Sequence, residues 1–570
     1  MNSQKHGSKD ADRKFYLFDP QMVQRAEQVS LKQGTVKKTV TNASWVDQYS
    51  WTPDCGIPDW ERRVSILYPN VEYDETGGTY KILYHALSPS ASADEYHWRR
   101  HLIDRENSNH VDLKGFSNTA RGTIRDGHDI LCYMESKDGI NWTRPELGEF
   151  FYQTRTGEII GTNIVRVGLH GQAVRRNENP DPNEPAYLLA GRAWETDSLD
   201  AKGAPIGVAI AWSDDGIHWE EPVTIKTGYD CSDEIREVRA DSHNQLFWSE
   251  ERGRYVVITR GYSKRDPSVR LVVFMESTGE LQSIRDLQKI KRQKAGKYWE
   301  QTSQFWSKPE IVLDHRVTMD AQPYTMPAAH MAQDCYIGVA CVANFDKETA
   351  GVWNSVHAQL TWSRDARTWH YMEQGKPFIA NAPVFKLEPG NDYGMIYCAA
   401  PVQVGETSQI FYAAIPELHY VAYDEIPEEI RQIVAQRIPK AAENKMFTRT
   451  STLNIASVQK DRFAGLWSKN GWIVTRPFTL CGSRLLLTAD AAPGGSVKLE
   501  LLAPDGSVIP GYGAENFCAV ETDTTDQAVR WEGRDLSELA GKTVSLRILL
   551  QKAGIYTLSG DLIAETKTGG

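Results

Sequence analysis

A chain of 570 residues is too long for a single ordinary core, so two or more domains are expected. Its net charge of −11, with no Lys/Arg-rich run, lacks the basic footprint that phosphates demand and argues against a nucleic-acid binder. No window approaches a run of about 18 apolar residues, so no membrane-spanning helix is expected.

The opening stretch, MNSQKHGSKDADRKFYLFDP, carries charge but no apolar segment, and is read as a non-secretory start. The eight cysteines are scattered, with neither a C-x-x-C pair nor zinc-ligand spacing. They are read as reduced thiols, and a cytoplasmic location is expected. Seventeen Trp and 24 Tyr supply flat faces with polar handles, suited to sheet cores and to clefts in which sugars stack.

A short phrase recurs along the chain. Ser136-Lys137-Asp138-Gly139-Ile140-Asn141-Trp142 returns at Ser213 to Trp219 and, with Ala366 in place of the glycine, at Ser363 to Trp369. A worn copy is read at Ser303-Gln304-Phe305-Trp306. Each full copy follows an apolar strand (ILCYMES, IGVAIAWS, VHAQLTWS), and Asp-Gly between strands signals a hairpin. The Ser and Asp oxygens can hold the N–H groups of the turn while the Trp folds back over it. A period of roughly 60 to 90 residues, built of strands without helical patterning, fits the blades of a β-propeller.

Further strand candidates fill five blades. VSILYPNVEYD and TYKILYHAL belong to the first, and NIVRVGL and AYLLAGRAW to the second. HNQLFWS, YVVITRGY and VRLVVFME make the third, CYIGVACVANF the fourth, and PVFKLEP, YGMIYCAA and SQIFYAAIP the fifth. Asp424 to Val434 then reads as a helix with an early proline, Pro427. Beyond it RLLLTAD, SVKLELLA, AVRWEG and VSLRILL, punctuated at Pro493-Gly494 and Pro504-Asp505-Gly506, read as a β-sandwich. The expected layout is all-β: an N-terminal segment over 1–54 packing on the propeller, a five-bladed β-propeller over 55–420, a linker helix over 421–445, and a C-terminal β-sandwich over 446–570.

The blades, the S-x-D-G-x-x-W hairpins and the trailing sandwich together resemble the five-bladed glycoside hydrolases of families 32, 43 and 68. SKDGINWTRPELGEF, ADSHNQLFW with RYVVITRGY, and IVTRPFTL with LLLTADAAPGGSVKLELL are similar to bacterial family-32-like glycosidases. The W-M-N-D-P-N-G-like opening and the E-C-P motif of family 32 are not intact, and the one R-D-P, at Arg265-Asp266-Pro267, falls in a candidate loop after a strand. What the resemblance implies is an exo-acting glycosidase working on oligosaccharides, with fructosyl or arabinosyl units as candidates.

Glycoside hydrolysis needs two carboxyl groups across the scissile bond, one protonated and one ionised. In a propeller they are expected at the starts of the inner strands. The first blade offers Glu61 and Asp59, with Trp60 beside them as a stacking face. The second offers Asn163 in place of an acid, and the third the dense run Glu234 to Asn244, in which Asp241 is the leading candidate. Arg239 or Arg236 could hold a neighbouring carboxylate ionised, and His243 and Asn244 are read as substrate or supporting groups. The fourth blade offers Asp320, with Gln322 as a substrate-binding candidate. Asp241, Glu61 and Asp320 are thus the catalytic candidates, and His170, His330 and Arg260 further cleft residues.

No H-E-x-x-H, EF-hand or P-loop pattern occurs, so no metal and no cofactor are expected, a structural cation on the propeller axis being left open. The expected partner is an oligosaccharide or glycoside, not nucleic acid or membrane, and a homo-oligomer is left open. Two other readings stand beside the hydrolase: a phosphate-dependent phosphorylase like those of propeller family 130, and a sugar-binding propeller without catalysis.

Overall fold

The computed structural model describes residues 13–43, 61, 64–87, 102–104, 129–153, 159–192, 207–227, 231–293, 297–313, 321–332, 334–345, 353–419, 423–437, 439, 442 and 451–564. The chain is all-β. Among these residues no helix is long and apolar enough to cross a membrane.

Among the described residues five antiparallel meanders follow one another, the fourth and fifth joined into one sheet by a parallel bridge between Val356 and Met395. The first runs Val64–Asp74, Thr79–Leu87, Asp129–Ser136, Ile164–Val167. The second runs His170–Arg176, Tyr187–Arg192, Gly207–Ser213, Val223–Thr227. In the third, Ile235–Val238 and Gln245–Ser249 share the strand Arg254–Ser263, followed by Arg270–Glu276 and Glu310–Leu313. In the fourth, Ala321–Thr325 and Ala328–Ala332 share Cys335–Asn344, followed by Val356–Ser363 and Trp369–Tyr371. In the fifth, Met395–Cys398 and Val402–Val404 share Thr407–Ile415, followed by Thr452–Gln459. Each meander touches the next, and the fifth touches the first through Val64–Asp74, which closes a ring.

The sequence explains the ring. A middle strand is covered on both faces by neighbouring sheets, so it reads as a continuous apolar run rather than an alternation. Gly207–Ser213 and Cys335–Asn344 are buried at every position. The cores lie between sheets: Leu83, Leu131, Val174 and Leu189 join the first to the second, and Phe247, Phe274, Met326 and Val342 the third to the fourth. Ile66, Tyr84, Phe411 and Leu453 join the fifth back to the first.

The recurring phrase forms the turn its residues imply. In the first copy Ser136 Oγ accepts from Gly139 N at 2.9 Å, and Asp138 Oδ1 accepts from Ile140 N and Asn141 N at 2.8 and 2.7 Å. Trp142 Nε1 donates to the Gly139 carbonyl at 2.9 Å. The second copy repeats the pattern, and the third keeps its Asp365 and Trp369 bonds while Ser363 Oγ accepts from Asp365 N at 3.2 Å. The central residue is left-handed in all three, with φ of 72° at Gly139, 81° at Gly216 and 58° at Ala366. Since alanine already occupies this position in the third copy, Gly216→Ala is expected to cost only the backbone strain, about 1–2 kcal/mol. The nearest atoms to the new methyl, on the Tyr187 ring, lie at an ordinary 3.5 Å. Chemical denaturation of the variant checks this value.

Four expectations need correction. NIVRVGL closes the first meander, because Ile164–Val167 pairs with Asp129–Ser136; the second opens only at His170. Ser303 is not the serine of a worn copy. In that meander Ser277 pairs with Trp306, as Ser136 pairs with Trp142 and Ser363 with Trp369, and the intervening turn has grown into a segment holding helices Asp286–Gln293 and Trp299–Thr302. PVFKLEP forms no strand. Pro493-Gly494-Gly495 makes no chain reversal: the strand Phe478–Leu502 runs through it, with a register jump between Ala491 and Ser496 that marks a bulge.

The C-terminal sheet is ordered Ala464–Thr475, Thr543–Ala564, Phe478–Leu502, Thr524–Ala528. Leu485, Leu487 and Ala489 from one half of the long strand share a core with Val497, Leu499 and Leu501 from the other, so the sheet is bent over itself in two layers. The N-terminal segment, expected to pack on the propeller, divides between the two units. Arg13–Tyr16 pairs with Thr543–Ala564, while Val23–Glu27 and Ser30–Gln33 pair with Ala464–Thr475. Lys37–Val40 then pairs with Thr452–Gln459 as the outermost strand of the fifth meander. The linker helix spans Glu428–Arg437 and seats Ile430 and Val434 against Phe385.

Candidate active site

The inner edges of the five meanders bring one side chain each to a common hub: Tyr68, His170, Asp241, Tyr324 and Tyr397. Their contacts close a circuit. The Tyr68 ring lies 6.5 Å from His170, and His170 Nε2 is 3.7 Å from Asp241 Oδ1. Arg260 Nη1 is 3.3 Å from Asp241 Oδ2, and the Arg260 guanidinium sits 3.8 Å over the Tyr324 ring. Tyr324 meets Tyr397 at 5.4 Å, and Tyr397 meets Tyr68 at 5.4 Å. The backbone is strained at this edge: Tyr68, Leu169 and Ala240 all take positive φ, at 47°, 63° and 50°.

Asp241 is the most open member of the circuit, its side chain 25% exposed, against 12% for His170 and 1% for Arg260. It is ion-paired with Arg192, which lies opposite His170 in the second meander, as well as with Arg260. Burial works against its charge, but Arg260, Arg192, His170 and Arg239 outweigh it and hold the carboxyl below its ordinary range. The hub thus presents an ionised carboxylate among aromatic faces, able to accept sugar hydroxyls and to stabilise a cationic centre.

Two neighbours hold this geometry. Asn244 donates to the carbonyls of Ala240 and Gly171, at 3.0 and 2.8 Å, and fixes the loop carrying Asp241 against the strand carrying His170. Gly171 has φ of 63°, and a Cβ there would lie 2.7 Å from the Ser242 carbonyl oxygen. Gly171→Ala is therefore expected to cost about 1–3 kcal/mol and to push His170 away from Asp241. A denaturation curve and a turnover assay on one preparation check both.

Most other sequence candidates make their bonds away from Asp241, although Arg239 is near enough to act on its charge and His243 stacks on Tyr68 at 5.5 Å. Glu61 is wholly buried: Arg144 Nε and Nη2 donate to its two oxygens at 3.1 Å each, and Tyr84 Oη donates at 2.5 Å. Asn163 belongs to the same knot, donating to Tyr84 Oη at 2.8 Å. His243 is buried, its ring nitrogens 3.2 Å from the Cys398 carbonyl and 2.7 Å from Asn70 Oδ1, and burial pulls its pKa down to about 3. Arg239 pairs with Glu237 at 3.0 Å and stacks over Tyr262. Gln322 Oε1 accepts from Arg270 N and Nη1 at 3.2 Å. Arg265-Asp266-Pro267 is an exposed hairpin turn in which Asp266 accepts from Ser268 N. His330 pairs with Glu251 at 2.8 Å. Asp59, Trp60 and Asp320 lie outside the described residues.

Arg192, His85 and Asp129 escaped the sequence reading. Each lies within or at the end of an apolar strand, where a buried charged or polar group requires a partner. His85 Nε2 is 2.7 Å and His170 Nδ1 3.0 Å from Asp129 Oδ1. These three are the described residues placed to hold a metal ion.

No protein-family model and no curated protein matches the chain. Solved structures similar to it include an N-acetylgalactosamine deacetylase from F. plautii in complex with blood group B trisaccharide. That chain is 12% identical, the match covering 77% of this chain and 97% of that one, with a TM-score of 0.38. A β-1,2-mannobiose phosphorylase from Listeria innocua is 10% identical over 75% of this chain and 98% of that one, TM-score 0.39. An α-L-arabinofuranosidase from Fusarium graminearum is 10% identical over 77% and 99%, TM-score 0.35. Likeness at this level carries no statement about activity, which has to come from the site.

Proposed function

We propose that the chain is an exo-acting glycosidase in which Asp241 is the ionised catalytic carboxylate. The observation that carries the reading is the placement of this partly open carboxylate at the hub of the meanders, between Arg192 and Arg260 and beside three tyrosines. Asp241 would attack the anomeric carbon, or activate water towards it, while a second carboxyl group protonates the leaving oxygen. Asp320, which directly precedes the strand carrying Tyr324, is assigned that second role. Fructosyl or arabinosyl units are the first glycones to try.

A second reading, the phosphate-dependent phosphorylase, is favoured by the cationic company of Asp241. Two arginines and a histidine beside one carboxylate resemble a phosphate pocket with a single acid. The test is cleavage of aryl furanosides, aryl pyranosides and short oligosaccharides with and without phosphate, read as the phenol or shortened sugar released and as the fate of the glycone, a reducing sugar after hydrolysis and a glycosyl phosphate after phosphorolysis. Release without phosphate supports the hydrolase. Release only with phosphate replaces it by the phosphorylase, and silence across the panel removes both in favour of sugar binding.

A further inference from the structure

We propose that His85, Asp129 and His170 form a binding site for a divalent transition-metal ion of the zinc class. The three donor atoms lie within 4.8 Å of one another, and all three residues are buried. Two imidazoles and one carboxylate match the borderline preference of zinc and its neighbours, and three protein ligands leave a position open.

The placement is rigid. His85 is near the end of Thr79–Leu87, and Asp129 begins Asp129–Ser136, with His85 opposite Leu131 and Leu87 opposite Asp129. The two ligands are thus diagonal neighbours on one sheet face. His170 opens the second meander, and the chain just before it is tied to the first by Gly168 N donating to the Asp129 carbonyl at 2.8 Å. Asp129 Oδ1 faces one nitrogen of each imidazole, while the other nitrogen of His170 is turned to Asp241 at 3.7 Å. A carboxylate on the far nitrogen is the usual outer partner of a metal-bound histidine, since it fixes the tautomer and orients the ring. The ion would sit across the seam between the first two meanders, one imidazole away from Asp241. Positions 85, 129 and 170 are too far apart in sequence to make a motif, which is why the sequence predicts no metal.

The test uses the full chain. Protein stripped with EDTA and dialysed is titrated with Co2+, followed by visible absorption and by the melting temperature, and the ion is then displaced with Zn2+. Uptake of one Co2+ per chain, visible ligand-field bands and a raised melting temperature are expected, with all three lost in His85→Gln and in Asp129→Asn. Asp241→Asn is expected to weaken binding by about tenfold to a hundredfold. Because these changes touch buried groups, zinc-edge X-ray absorption on the unaltered protein supplies a second measurement, with imidazole nitrogen and carboxylate oxygen in the first shell. Stripped, folded protein that takes up no Co2+ or Zn2+ overturns the proposal, as does a zinc shell containing sulfur. Uptake is read without substrate, so its failure leaves the glycosidase reading standing, and an inactive protein that binds the ion leaves this one standing.

Discussion

Asp241→Ala is expected to reduce turnover by roughly a hundredfold to ten-thousandfold, the range lost with a positioned acid–base or charge-stabilising group. The carboxylate balances two arginines, one of them nearly inaccessible to water. Its removal therefore leaves buried positive charge behind, and some stability goes with it. The rate must be measured on protein shown to be folded by circular dichroism at the assay temperature. Added formate separates the two effects, because a small anion can enter the space left by the side chain and restore a negative charge between Arg192 and Arg260. Partial recovery of turnover with formate is the expected result. An Asp241→Ala protein with undiminished turnover would take the residue out of the mechanism and, with it, the proposed chemistry.

Glu61→Gln is expected to act on stability, at a cost of about 3–5 kcal/mol, because it strands a charged Arg144 opposite a neutral amide in a buried knot. The glutamate is inaccessible to solvent, and both its oxygens are engaged by the guanidinium. Burial and the adjacent carboxylate also push the Tyr84 phenol well above its ordinary pKa, so the tyrosine stays a hydrogen-bond donor to Glu61. Replacing the pair together, Glu61→Gln with Arg144→Leu, is expected to recover most of the loss, since the cost lies in the unmatched charge and not in the absence of the bridge. Urea denaturation of the single and double variants tests this. A Glu61→Gln protein of unchanged stability but abolished turnover would return Glu61 to the catalytic residues.

Much of the fold was legible because it is written in local chemistry. Ser, Asp and Gly at fixed offsets before a Trp specify a turn whatever surrounds them, and strands covered on both faces must be apolar along their length. The worn copy was misplaced because Ser277 and Trp306 pair across an insertion, and a contact between distant residues leaves no periodic trace. Asp241 was legible as a polar residue in a crowded run before a strand. Arg260 and His170 were legible only as cleft residues and Arg192 not at all, because the three reach Asp241 from separate strands. Glu61 stood out for the same reason as Asp241, an acid upstream of an inner strand. Only the depth of its burial against Arg144 distinguishes the two, and depth depends on how neighbouring sheets close over a residue.

The path of the N-terminal strands bears on how the protein is made. Val40 pairs with Asn454, and Tyr16 with Thr557, so segments synthesised early wait for partners that leave the ribosome near the end. Until then the fifth meander lacks two of its strands, and the edge of Thr407–Ile415 stands unpaired. Contacts this distant along the chain are slow to form, and an open strand edge invites pairing with other chains. The hub, which needs all five meanders, is therefore assembled late: Tyr397 lies on Met395–Cys398, and nascent chains short of that strand carry the catalytic candidate without a closed ring around it.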